Sequence, residues 1–295
     1  FRNNGILGIA LLLVSVLGFF QTEAQTGQAT RIWALTTGGS WATASNWSPS
    51  GVPQAGDNVV INGITGTASI KDIPTISLTN LTLLGNCTLD AATKGNTITV
   101  NGTMTVSSGI TVLADKFELG FIIAAAGIAN IDGTLNMTTN GPGGIFTNNG
   151  RVNLGSSAFI GGNGSFVLGN NATLAIASAA GIMATGTTGN IRTSTRTFNA
   201  NANYIYNGTV AQSTGDALPA TFSGSLTIDN PTTVTLSAAR TFSSGTLNLL
   251  RGQFVAGSLL TLGNSVSSAN VSINRRGGSM SGTPQSSNWY NIVYN

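Results

Sequence analysis

From about residue 59 onward the chain alternates apolar with small polar residues in short runs, each broken by Gly, Asn or Ser. A period of two is that of a strand with one face to bury, so the expectation is short β-strands throughout. The nearest approach to a helix is residues 117–131, FELGFIIAAAGIANI, where an Ala cluster supports a turn or two while Gly120 and Gly127 argue against a long one. Within the strand pattern a five-residue unit recurs: Gly, small polar, apolar, polar, apolar. It begins at Gly102, Gly133, Gly150, Gly164, Gly224 and Gly245, with degenerate strands such as ATLAIA (172–177) and TTVTLS (232–237) in the wider gaps. Short-range repetition of this kind marks stacked architecture.

With no helices to cover them, one-sided strands must meet other strands. A right-handed parallel β-helix (a β-solenoid) satisfies this best, because Gly and Asn turn its corners by accepting positive φ. Coils repeating at about 4.8 Å place like side chains over one another. Rungs of roughly 20 residues would make about a dozen turns and a rod some 60 Å long. Tandem immunoglobulin-like sandwiches are the competing arrangement. They predict units near 100 residues and a Cys-Trp-Cys framework, neither of which is visible. An end coil leaves backbone groups and a core cross-section open. Trp33, Trp41 and Trp47, with Pro49 and Pro53, stand just before the first regular strand, 58–62, and are read as an N-terminal aromatic cap. The division expected is 1–24 signal peptide, 25–57 linker and cap, and 58–295 solenoid repeats cut short at the C-terminus.

Composition narrows the chemistry. Charged residues are only 7% of the 295, while 41% are hydrophobic; ordinary globular chains carry about 25% charge. Stacked like charges repel, which gives a reason for the scarcity. The net charge of +3 is dispersed, with Arg275-Arg276 the only basic pair, so no nucleic-acid partner is expected. There is no histidine, which removes the commonest general base and metal ligand. The one cysteine, Cys87, lies in a strand-like stretch and reads as a small buried hydrophobe. Catalysis would need converging carboxylates or a base. Asp115 and Glu118 are close in sequence with Lys116 between them, and Asp115 and Asp132 are 17 residues apart, about one rung. Solvated turn positions remain the default reading, so no catalytic residue, cofactor or metal is assigned. Asp57 in Gly56-Asp57-Asn58 reads as a turn in preference to a calcium ligand. Tyr204, Tyr206, Trp289 and Tyr290 read first as core or ladder packing, which the period-two spacing of Tyr204 and Tyr206 also suits, and are candidate glycan contacts as the second reading.

Arg2, the apolar run 6–20 and small Ala24 describe a secretory signal peptide cleaved before Gln25, leaving no membrane anchor. A start at Phe1 and a stop at Asn295 inside an apparent strand mark an incomplete reading of a longer protein. The segments GSWATASNWSPSGVPQAGDNVVI (39–61), 204–263 and RRGGSMSGTPQSSNWYNIVYN (275–295) resemble the large secreted adhesin-like surface proteins of Bacteroidetes. That resemblance implies β-helical shafts, type IX secretion and a C-terminal sorting domain that this chain does not contain. The functional expectation is a non-enzymatic, secreted cell-surface stalk, presenting a rigid surface to extracellular glycans or other cell-surface molecules. It would self-associate through an uncapped C-terminal rung near Trp289. The alternative is a polysaccharide-degrading β-helix enzyme or its carbohydrate-binding arm.

Overall fold

A computed structural model describes residues 28–66, 68–138, 141–263, 271–286 and 290–294. The signal-peptide reading and Trp289 lie outside the described residues. Among those described, the only helical elements are single 3-10 turns at Ala44–Asn46 and Gly257–Leu259, and the rest is strand and turn. The stretch 117–131 is no exception: it forms the strands Gly120–Ile123 and Ile128–Ile131 on either side of a corner.

The strands stack in parallel as a β-solenoid of about 10 turns. One side is a 15-stranded sheet, whose main path runs from Thr30–Trp33 through Asn58–Ile61, Asn80–Leu83 and their successors to Tyr290–Tyr294. An 11-stranded sheet supplies two further sides in the N-terminal half. Its two runs are joined by the long strand Phe159–Leu168, which pairs with Thr134–Asn136 at one end and Ile145–Asn148 at the other. A 4-stranded sheet, including Arg240–Phe242 and Leu260–Leu262, takes over toward the C-terminus.

Register fixes the coil length. Val59 pairs with Leu81, 22 residues on, and Leu81 with Met104, 23 on. Spacing varies around the stack: Val271 and Tyr290 are 19 residues apart, whereas Ile160 and Ile191 are 31 apart. Coils therefore range from just under the expected 20 residues to well above it, because the corners between strands differ in length. About 10 turns at ~4.8 Å per coil span roughly 50 Å.

Alternation now has a three-dimensional meaning. On the first sheet Val59, Leu81, Met104, Ala129, Val152 and Leu174 form one continuous inward column, all fully buried. Aromatic residues stack likewise, with Phe146 and Phe166 at 5.9 Å between centroids and Phe222 and Phe242 at 4.7 Å. Outward amides bond along the axis: Asn80 Nδ2 donates to Asn58 Oδ1 at 2.7 Å, and Asn153 Nδ2 to Asn130 Oδ1 at 2.8 Å. Buried side chains on neighbouring coils thus support each other, while outward ones satisfy their polar groups at the surface.

The repeat glycines follow a rule different from the one expected. Of Gly102, Gly133, Gly150, Gly164, Gly224 and Gly245, only Gly245 has a positive φ, at 90°. What they share is closeness to another strand segment. A Cβ at Gly224 would lie 1.9 Å from the Ala202 carbonyl oxygen, and one at Gly150 would lie 2.3 Å from that of Ala124. Glycine here permits coil-to-coil approach more than turn geometry.

Candidate functional site

At the N-terminal end the chain doubles back. Trp47–Ser48 pairs antiparallel with Thr30–Trp33, which itself runs parallel to Asn58–Ile61. Trp33, Trp41 and Trp47 pack edge to face behind this hairpin, at 5.0 and 4.7 Å between centroids, and are only 1–3% exposed. Trp47 Nε1 donates to the Trp41 carbonyl at 2.8 Å and Trp33 Nε1 to that of Thr37 at 3.1 Å. Pro53 is buried with the cluster's flank, whereas Pro49, after a cis Ser48–Pro49 bond, is exposed. These residues close the end of the core. Asp57 ties the arrangement down: its carboxylate accepts from Ala29 N at 3.1 Å and Gln54 N at 2.9 Å, with Arg31 Nε at 3.7 Å.

The candidate glycan contacts are not brought together at the surface. Tyr204 and Tyr206 are 0% exposed and belong to the core. Their hydroxyls donate to the carbonyls of Asn199 at 2.6 Å and Thr214 at 2.8 Å, and burial raises both phenol pKa values. Their period-two spacing placed them on one face, and that face is the inward one. Tyr290 begins the last strand of the first sheet. Cys87 is buried, and desolvation lifts its thiol to about 12.

Asp115 and Asp132 do not form a pair. Asp115 follows the strand Thr111–Ala114 of the second sheet, whereas Asp132 follows Ile128–Ile131 of the first. The residue bonded to Asp115 from the next coil is Thr138, 23 positions on, whose hydroxyl donates to Asp115 Oδ1 at 3.0 Å. A 17-residue spacing falls short of a coil and lands on another side of the solenoid.

Chemistry does gather at one corner, where Thr111–Ala114 gives way to Gly120–Ile123. Backbone bonds clamp this corner to the coil before it: Ala91 N donates to Lys116 O at 3.3 Å, and Gly95 N to Phe117 O at 2.8 Å. Lys116 N in turn donates to Asp90 Oδ1 at 3.3 Å. Phe117 and Glu118 both adopt left-handed backbone, at φ 58° and 55°. For non-glycine residues that conformation costs roughly 1–2 kcal/mol each. The result is a Phe117 ring turned outward, 56% exposed. A cavity of about 400 Å³ adjoins it, lined by Lys94, Asp115, Lys116, Phe117, Glu118 and Pro142. Lys94 Nζ lies 2.9 Å from Glu118 Oε1.

Four of the six lining residues are ionisable, in a chain with 7% charge. Sequence reasoning singled out the Asp115–Glu118 proximity but missed Phe117, Lys94 and Pro142. The available signal was the density of Asp115-Lys116-Phe117-Glu118, three charges and an aromatic in four positions. Among the described residues no group of three potential metal ligands forms. The corner therefore offers ring and pyrrolidine walls with hydrogen-bond donors and acceptors at the rim. Comparison of the chain with protein-family models, curated proteins and solved structures finds no match.

Proposed function

We propose that the chain is a non-enzymatic, secreted, adhesin-like stalk segment of a larger cell-surface protein, presenting a rigid repetitive surface to glycans, cells or matrix. The observation that carries this reading is the outward amide pairs Asn58–Asn80 and Asn130–Asn153, each bonded between neighbouring coils of a parallel stack. A face of neutral, mutually bonded side chains supports many weak polar contacts and little proton transfer. At the charged corner, Asp115 has one oxygen occupied by Thr138 and Glu118 is paired with Lys94, which favours holding a ligand over acid–base work. The resemblance to Bacteroidetes surface proteins supports export by type IX secretion, and a sorting domain in the full reading frame would bear on it directly.

Binding of residues 25–295 to a glycan array and to intact cells, without release of reducing ends, is the expected result. Turnover of any polysaccharide would replace this reading with the alternative of a β-helix polysaccharide-degrading enzyme. For residues 25–295 taken alone, a second copy is a further partner. Tyr290–Tyr294 lies at the end of the first sheet's path, with Ile292, Val293 and Tyr294 exposed. Such an edge pairs readily with another strand. Sedimentation of this chain should show concentration-dependent association, and a strictly monomeric profile would remove this partner.

A further inference from the structure

The charged corner has features that the stalk reading does not require. Folding explains an aromatic residue when it is buried, but Phe117 is 56% exposed and held there by two consecutive left-handed residues. The preceding coil meets the same need cheaply, with Gly95 at φ 80°. Where a sequence accepts strain that a glycine would relieve, the side chain retained is the feature to explain.

The lining defines the ligand. Phe117 and Pro142 offer flat apolar surface, and the cavity of about 400 Å³ falls in the range of small-ligand sites. Lys94 with Glu118, and Lys116 with Asp115, make the rim electrically balanced. A balanced rim gives no long-range pull on an anion or a cation. It does provide ammonium donors beside carboxylate acceptors. Asp115 Oδ2 and the Lys116 ammonium have no side-chain partner among the described residues. A pyranose ring presents the complementary pattern: one face of C–H groups to lie on an aromatic ring, and a periphery of hydroxyls that both donate and accept.

We propose that this corner is a saccharide-binding site, in which Phe117 stacks on a neutral pyranose while Asp115, Lys116 and Glu118 bond its hydroxyls. The proposal rests on the glycan-contact reading above and gives it a location and a ligand class. Position suits the task, since the site lies on an outer corner of a rigid coil and needs no closure around the ligand.

The test uses the whole chain against immobilised and soluble neutral, uronate-bearing and sulfated oligosaccharides, four to six sugars long. The wild type should bind a neutral oligosaccharide. Phe117→Ala, which keeps the same backbone demand, should weaken that binding at least tenfold with an unchanged melting temperature, and Phe117→Tyr should restore it. Lys116→Ala should weaken binding by a smaller factor. Wild-type binding that Phe117→Ala leaves unchanged would overturn the site while leaving glycan contact by the stalk intact. Binding confined to uronate-bearing or sulfated sugars would overturn the neutral-sugar assignment. Binding to no glycan of any class would overturn both the site and the glycan part of the proposed function.

Discussion

The tryptophan end and the Phe117 corner treat aromatic residues in opposite ways. Trp33, Trp41 and Trp47 sit at the end of the stack formed by the described residues, and the chain reverses there to bury them against the core. Phe117 sits where coils lie on both sides, yet it stays outside. At the end, aromatic surface is folded inward against the core. At the corner, the neighbours already complete the core and the ring is surplus to folding. Position in the stack therefore separates aromatics that hold the solenoid together from one that is available to a ligand.

The largest effect expected from that contrast is at the cap. Trp47→Ala removes two ring contacts and opens the end of the core, so it should destabilise by about 3–5 kcal/mol. Chemical denaturation measures this, and a change below about 1 kcal/mol would mean that the tryptophans do not close the stack. Alkaline pH probes the same interior. Burial holds Cys87 at about 12 in place of its ordinary 9.0, and raises Tyr204 and Tyr206 above their ordinary 10.0. These groups ionise first in the unfolded chain, so stability is complete below pH 9 and declines as pH rises toward 12. The slope is at most about 1.4 kcal/mol per pH unit for each group. Denaturation midpoints from pH 8 to 11.5 should show it, and Cys87→Ala should flatten the first part.

At the corner the sign reverses. Phe117→Gly relieves left-handed strain while adding chain entropy, so stability should stay level or rise by up to about 1 kcal/mol. A clear loss in thermal unfolding would show that the exposed ring supports the fold after all. Smallest is Lys94→Ala. Its side chain is 73% exposed and its pair with Glu118 lies at the surface, so less than about 0.5 kcal/mol should follow, and less still at high salt.

Much of the architecture was legible because burial acts residue by residue. In strands such as Asn80–Leu83 the alternation of Leu81 and Leu83 with Asn80 and Thr82 specifies an inward and an outward face without knowledge of neighbours. The scarcity of charge and the tryptophan cluster before residue 58 were likewise visible in one dimension. The site was less so. Tyr204 and Tyr206 shared a face, but alternation alone did not say that this face pointed inward at their coil. The Asp115/Asp132 pairing failed on coil length: 23 residues separate bonded neighbours there, and a six-residue error moves a side chain to another side of the solenoid.

By itself, then, the sequence determined that this protein is made of short one-sided strands that must cover one another, and that a bulky aromatic segment precedes them. Tertiary structure decided which residues lie over which. The five-residue motif held its glycines for proximity to carbonyls such as Ala202 O and Ala124 O, a reason that appears only when two coils are in place. It also decided that Lys94, Phe117 and Pro142 share one cavity although they are spread over three coils. The physical reason is the same in both cases. Hydrophobic burial depends on local pattern, whereas stacking register depends on the summed length of every strand and corner between two positions.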